Sequence, residues 1–542
     1  MYSNNNMTKK KFPPSLPLDC IVEILEYHRN DKKTLFSNLF VNRTWCQLII
    51  PLLWCRPFEI RNKEKIMIID TLILCLSKQE KLKFLDKMNG NRKMINIERT
   101  PIFDYPHYIR GLDYRNLECL IESWVTNSND NLLPRNIEIF LFNLIGNLIF
   151  TRSRGLTSLT LEHYDYYYYK FRKSNYTSLK NILSFNNIKN ALENLQKLEI
   201  KFFSEIYDEK ISSDIISNLF FTLSKYSNNI KHIYIDVSAE EISQICNSFT
   251  NLIESQTNLI TLEVNQYLGF SFVNSLYTQS NSLTFLKINY LKNFHSLLPA
   301  LSACINLETL EFSEYFMIED IDDLVNSVNN LSPIHIKNLL AYRIDPESIE
   351  ENFAASMMIL IKLSVNTLKS LTLDHVNQGI LEVISINCPR INYLSLNIIP
   401  EEISFFSKIL SSLTCLESLI FIEDFTGEIL YRTRDVLLDI AINLPPSLKY
   451  FGFWTMDYNI LNDFLQNIHV PSLQELDIFK GLNDLELNII INFARKNGNL
   501  KKFGYKKVFS SESNVSENCF NEAKSIIPII GEARHIKHYV IN

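Results

Sequence analysis

The sequence predicts an α/β solenoid, parallel strands alternating with helices, preceded by a small all-α module. Three observations carry this. A six-residue pattern (apolar, two mostly polar, apolar, polar, apolar) starts thirteen times between residues 156 and 500. Amphipathic stretches such as Asp214–Leu223, Ala239–Thr250 and Leu485–Ala494 lie between its copies. Residues 15–54 instead carry three short apolar stripes at helical spacing.

Residues 1–14 read as a disordered tail and 15–58 as the helical module. Pro17 is placed to open a helix, where its missing N–H costs nothing, and Asp19 complements the dipole of the first turn. Ile21, Ile24, Leu25 and His28 form the first stripe, and His28–Asp31 a turn. Leu35, Phe36, Leu39 and Phe40 form the second stripe. Val41, Trp45, Leu48 and Ile49 form the third, with Pro51 as its expected stop. A module near 40 residues cannot bury a large core alone and needs a second surface.

Leu16-Pro17-Leu18-Asp19, Ile21, Ile24 and Leu25, Leu39-Phe40-Val41-Asn42-Arg43-x-Trp45-x-x-Leu48 and Pro51-Leu52-Leu53-Trp54 together resemble an F-box. Asp19, Cys20 and Asn42 depart from the residues usual at those places. The resemblance implies docking on a Skp-type adaptor, and through it a cullin scaffold, by Leu16, Pro17, Ile21, Ile24, Leu25, Leu39, Val41 and Trp45. The rival reading is an unrelated helical cap for the rest of the chain.

Residues 59–155 are expected to be a helical linker or degenerate early repeats. Asn62–Leu85 and Leu117–Val125 read as helices, and Thr100–Gly111, with Pro101 and Pro106, as an exposed loop. The repeats occupy 156–509: LTSLTL at 156, LQKLEI at 195, IKHIYI at 230, LITLEV at 259, LTFLKI at 283, LETLEF at 307 and IKNLLA at 336. They continue with LKSLTL at 368, INYLSL at 391, LESLIF at 416, LKYFGF at 448, LQELDI at 473 and LKKFGY at 500. The mean spacing is about 29 residues, the leucine-rich-repeat signature, and ankyrin or tetratricopeptide pairs supply no strand. Cys304, Cys388 and Cys415 stand just before strands, which resembles the repeats of F-box/leucine-rich-repeat proteins and implies a leucine-rich-repeat horseshoe with buried thiols. The usual asparagine after the strand is replaced by Tyr164, Phe203, Ser238 and Tyr267, so no asparagine ladder is expected. Residues 510–542 read as a C-terminal cap.

Composition narrows the function. Glycine numbers 12 in 542 residues, which disfavours glycine-lined phosphate loops, and the net charge of −6 gives no pull toward nucleic acid or anionic membrane. Ten cysteines without a Cys-x-x-Cys pair suit a reducing compartment, cytoplasmic or nuclear. No secretory signal and no transmembrane run is expected. Phosphate-loop, dinucleotide, nucleophile-elbow and zincin motifs are all missing, and neither His535 with His538 nor the acid pairs Glu350-Glu351 and Glu401-Glu402 completes a catalytic or metal set. The expectation is a non-enzyme without cofactor or metal.

Recognition then falls to the strands, where alternation sends the residues between the apolar positions to the open face. Over most of the array these are polar, among them Glu199, Lys201, Tyr234, Lys287 and Glu311. Toward the C-terminus they become Ile420, Ile422, Tyr450, Trp454 and Phe479, read either as anchors for a target protein or as core under a folded-over tail. No basic pocket for an anionic cofactor stands among these positions. The run Tyr164–Lys173 reads as a loop insertion suited to protein contact rather than to single-stranded nucleic acid. The chain is thus expected to be the target-recognition subunit of a Skp–cullin–F-box ubiquitin ligase, with a repeat scaffold lacking any ubiquitin role as the alternative.

Overall fold

The computed structural model describes residues 16–59, 66–88, 99–127, 137–164, 182–203, 213–237, 242–265, 270–291, 294–316, 331–342, 350–398, 402–424, 437–455, 458–479, 481–506 and 515–533. The predicted tail, residues 165–173 of the tyrosine run, Ser238 and Tyr267 lie outside these. The chain divides into two compact units, Met1–Thr257 and Asn258–Asn542.

The first unit begins with α1 (Leu18–Tyr27), α2 (Lys32–Asn38) and α3 (Arg43–Trp54). Pro17 stands just before the first turn, its carbonyl accepting from Ile21 N at 3.2 Å. Asp31 caps α2 by accepting from Thr34 N at 3.1 Å, and Asn42 caps α3 by accepting from Trp45 N at 2.9 Å. These bonds from Thr34 hold the Asp31 carboxyl below its ordinary range. Pro51 does not stop α3. It removes one backbone bond in the last turn, while Leu52 and Leu53 pack on the core of the triple and the Trp54 ring meets Tyr105 at 4.4 Å.

The expected single helix over Asn62–Leu85 is two, α4 (Ile66–Cys75) and α5 (Lys78–Lys87). The break is chemical: Ser77 Oγ accepts from Glu80 N, and the Glu80 carboxylate accepts from Ser77 N, a reciprocal cap. The expected exposed loop holds a short helix α6 (Tyr105–Tyr108) with Pro106 buried. It is followed by a strand β1 (Gly111–Asp113), then α7 (Tyr114–Asn127) and α8 (Ile137–Arg152). Trp124 Nε1 donates to Asp70 at 2.7 Å and ties α7 to α4.

Strand β1 pairs in parallel with β2 (Ser158–Tyr164), Gly111 opposite Ser158, so the strand–helix array starts well before residue 156. The signal is Ile109-x-x-Leu112-x-Tyr114, the repeat spacing hidden behind two prolines. Strands β3 (Lys197–Phe203) and β4 (His232–Val237) extend this sheet, with helices Ser213–Tyr226 and Ile242–Glu254 following them.

The second unit carries β5 (Thr261–Val264), β6 (Phe285–Leu291), β7 (Thr309–Phe316), β8 (Asn338–Ala341), β9 (Ser370–Val376) and β10 (Tyr393–Ile398). It continues with β11 (Ser418–Asp424), β12 (Tyr450–Thr455), β13 (Glu475–Ile478), β14 (Lys502–Tyr505) and β15 (Ile529–Glu532). Each pairs in parallel with the next. The expected C-terminal cap is therefore one more strand–helix unit, β15 preceded by the helix Glu517–Ile526.

All thirteen hexads carry a strand, and each strand starts two residues into its hexad. The reason is burial: the first apolar position, from Leu156 to Leu500, is never more than 5% exposed, which pins the chain to the helix layer before the strand opens. At the strand entry backbone carbonyls link successive repeats, and just after β5 Asn265 accepts from Asn289 of β6. Lys337 O accepts from Lys369 N and Ser370 N, Lys369 O from Asn392 N and Tyr393 N, and Asn392 O from Glu417 N and Ser418 N.

The turn before the strand uses buried polar plugs three or four residues ahead of the first apolar position. Gln256 donates to Leu252 O and Ser227 O while accepting from Ile230 N at 2.9 Å, and Gln279 accepts from Leu259 N at 3.2 Å. Cys304 and Cys388 fill the place of Gln256 in later units and are buried. Cys415 stands two positions closer to its strand and is exposed, contrary to expectation. Burial pushes the Cys304 thiol up to about 11 and the Cys388 thiol up to about 12, from an ordinary 9.0. Between pH 9 and those values the unfolded thiols lose protons that the folded ones keep, so stability falls as pH rises through this window. Iodoacetamide at pH 8.5 should label Cys20 and Cys415 in the native chain and spare Cys304 and Cys388, as peptide mapping would read; native labelling of the latter pair would refute their burial.

Candidate functional site

The first candidate surface is the helical triple. Its core is Ile21, Leu25, Leu35 and Ile49, with Leu39, Trp45, Leu48, Leu52 and Leu53 packed half-buried against it. The apolar arc of α1 is wider than this core can cover. At about 100° per residue Ile21 and Leu25 sit at its centre, Ile24 on one flank, and Leu18 and Val22 on the other. Those flanks are open to solvent: Leu18 is 55%, Val22 38% and Ile24 41% exposed.

The eight residues expected to meet an adaptor therefore separate. Leu16, Pro17, Ile24 and Val41 are exposed, Leu39 and Trp45 are half-buried, and Ile21 and Leu25 face inward. The last two hold the triple together rather than presenting a surface. Sequence reading missed Leu18, Val22, Phe36 and Phe40, all exposed, although helical phase alone places Leu18 and Val22 beside the inward stripe. Phe36 and Phe40 meet edge to face at 5.9 Å. Of nineteen exposed large apolar side chains among the described residues, eight lie between Leu16 and Val41. Such a concentration marks an interaction surface, whereas single exposed apolar residues do not.

The second candidate is the open face of the strands. In the first unit it carries Lys197, Glu199 and Lys201 on β3 and His232, Tyr234 and Asp236 on β4. Burial would raise the Glu199 carboxyl, but hydrogen bonds and charge from Lys201 and Lys197 outweigh it, so the group sits below the ordinary carboxylate range. Lys201 Nζ also lies 5.0 Å from the centre of the Tyr234 ring. His232 is pushed down by burial and by the charges of Lys197 and Lys231. In the second unit Lys287 and Glu311 pair at 2.7 Å across β6 and β7.

The expected aromatic anchors are not exposed. Ile420, Tyr450 and Phe479 are 5%, 4% and 5% exposed and form a cluster with Ala533, with Tyr393 half-buried against it. Ile422 and Trp454 fall in β11 and β12, but their side chains lie outside the described residues. The physical reason is a row in which three of five positions are glycine. Ile420, Gly452, Asp477, Gly504 and Gly531 stand opposite one another on β11 to β15. A Cβ on Gly452 would come within 3.0 Å of both Phe479 Cζ and Tyr450 Oη. The glycine lets these two rings lie down on the sheet, and Tyr450 Oη donates to Asp477 Oδ2 at 2.9 Å. The signal was in the sequence: Phe-Gly-Phe at 451–453 and Phe-Gly-Tyr at 503–505, in a chain with 12 glycines.

Among the described residues no helix is long and apolar enough to cross a membrane, and no three His, Cys, Asp or Glu side chains gather as metal ligands. No protein-family model matches the chain, and no curated protein matches it either. Solved structures similar to it include these two. The leucine-rich-repeat-containing protein LegL7 from Legionella pneumophila aligns over 54% of this chain and 90% of its own, at 13% identity and a TM-score of 0.33. Human 5T4, the trophoblast glycoprotein, aligns over 51% of this chain and 89% of its own, at 11% identity and a TM-score of 0.27. Likenesses this distant carry no argument. The α/β solenoid architecture rests on the register of the strands themselves, unit by unit.

Proposed function

We propose that the chain is the target-recognition subunit of a Skp–cullin–F-box ubiquitin ligase. The helical triple would dock a Skp-type adaptor, and the open faces of the strands would hold a target protein. The supporting observation is the crowding of eight exposed large apolar side chains on residues 16–41, around a core that keeps the three helices folded beneath them. On this reading the chain performs no chemistry. It joins two partners, and the effective concentration of target lysines near a recruited conjugating enzyme rises accordingly. The compartment that fits is cytoplasmic or nuclear.

The test is co-purification of the full chain with a Skp-type adaptor, beside a Leu18→Asp, Val41→Asp variant. Both positions are more than half exposed, so the fold should survive with its melting temperature within about 2 °C of wild type. Adaptor affinity should fall about 100-fold or more, as when central apolar contacts of an interface are lost. Soluble wild type that forms no complex would overturn the reading.

One observation favours the rival scaffold. The triple is tied to the α6–β1 segment: Cys55 O accepts from Arg110 N at 2.8 Å and Gly111 N at 2.9 Å, and Trp54 rests on Tyr105. A scaffold whose first helices only cap the array would show these ties and bind no adaptor, so the same experiment separates the two.

A further inference from the structure

The end of α4, the start of α5, residues 100–104 and Arg152 of α8 border an open pocket of about 490 Å3 in the first unit, within the size range of small-molecule sites. Leu74, Leu76, Pro101 and Phe103 give it an apolar wall. Lys81, from α5, also lines it, and this lysine is only 2% exposed. Its ammonium carries three donors and gives one of them to Arg99 O at 3.1 Å. Among the described residues no carboxylate pairs with it. Glu80 is engaged in the cap of α5, and Asp104, the carboxylate lining the cavity, is held by Arg152 at 3.4 Å. Burial accordingly pushes the Lys81 ammonium below the ordinary lysine range.

A buried charge is ordinarily matched by an opposite one, because its lost hydration must be replaced. Here the place for a counter-charge is the cavity itself. We propose that the cavity binds a small organic carboxylate with an apolar stem, its carboxylate on the Lys81 ammonium and its stem against Leu74, Leu76, Pro101 and Phe103. A single charge fits better than a polyanion, since Arg152 is committed to Asp104 and Lys78 sits exposed. This site is separate from both partner surfaces and does not rest on the ubiquitin reading.

Titration calorimetry of the full chain with octanoate tests it. Octanoate should bind one to one, at least about tenfold more weakly to Lys81→Met, and within about twofold of wild type to Lys78→Gln. Octanol, with the same stem and no charge, should bind about tenfold more weakly than octanoate. Should Lys81→Met fail to fold, Phe103→Ala, in the apolar lining and half-buried, should weaken octanoate while the charge remains. The proposal is overturned by no saturable binding up to about 10 mM, the weak end of measurable small-ligand affinity. Equal binding of octanol and octanoate, or unchanged binding in both variants, would overturn it as well.

Discussion

Gly504→Ala should lower the unfolding free energy of the second unit by about 2–3 kcal/mol, the usual scale of an overpacked site. Its new Cβ would overlap Asp477 Oδ1 and come to 2.7 Å from the Cα of Ala533. The second contact is with backbone, so the clash cannot be relieved by turning a side chain. Asp477 is also fully buried and already bound to Tyr450 Oη, which leaves it little room to retreat. Restricting the unfolded chain would by itself make such a substitution stabilising, so a measured loss reports the clash. The matched control stands one strand away in the same row. A Cβ on Gly531 meets nothing within 4 Å, and Gly531→Ala should stay within about 0.5 kcal/mol of wild type. Denaturant midpoints read both, and faster hydrogen exchange across Ile529–Glu532 should mark the first variant only. Equal effects at the two positions would sink the argument.

Phe451→Ala should cost about 3–5 kcal/mol, the combined loss of transfer energy and of packing around the cavity left behind. Phe451 is 1% exposed, and its ring centre lies 5.4 Å from that of Phe453 and 5.9 Å from that of Phe464. The latter two are 5.8 Å apart, so the three rings close a triangle between strand β12 and the helix Tyr458–Asn467. Truncating one ring leaves the other two without their shared partner. Each unit of a solenoid leans on its neighbours alone, so the loss should appear in hydrogen exchange over β11 to β13 before it reaches β5 to β7. Ile386→Ala, at 77% exposed, should change stability by less than about 0.5 kcal/mol. A loss below about 1.5 kcal/mol for Phe451→Ala would mean that the site collapses to fill the gap.

The strands were legible because two requirements coincide in each hexad: a buried apolar entry residue and a period-two alternation behind it. Leu195, Leu198 and Ile200 satisfy both, and all three are fully buried. The hexad at Ile109 satisfies the same rule but comes after Pro101 and Pro106, and a proline-based loop reading overrode it. The helical module was legible as three helices, while its inside and outside were not. A set of matching motif residues does not distinguish Leu25, 1% exposed, from Ile24, 41% exposed; only the phase of the helix does. The open face near the C-terminus left two readings open, anchors or core, for a different reason. Alternation says which way Tyr450 starts from the sheet, and it says nothing of where the ring ends when its neighbour across the strand is Gly452. Lys81 falls in helical phase with the buried Phe84, Leu85 and Met88, but a lysine in that phase does not announce itself as buried, and its bond to Arg99 O is not visible in the pattern.

The rings lying on the open face also change the mechanics of the second unit. Around β12 and β13 the sheet has Phe451, Phe453 and Leu476 packed beneath it and Tyr450 and Phe479 packed above. Bending such a section compresses one layer of side chains and parts the other, whereas a section packed on one side can flex toward its free side at little cost. The open face of β5 to β8 is more mixed: Lys287 pairs there with Glu311, Phe285 is half-buried on β6, and Tyr342 is buried just after β8. The open face thus grades from charged pairs with scattered aromatics to a contiguous aromatic layer over glycines, and resistance to bending should be greatest where the two aromatic layers face each other across β12 and β13.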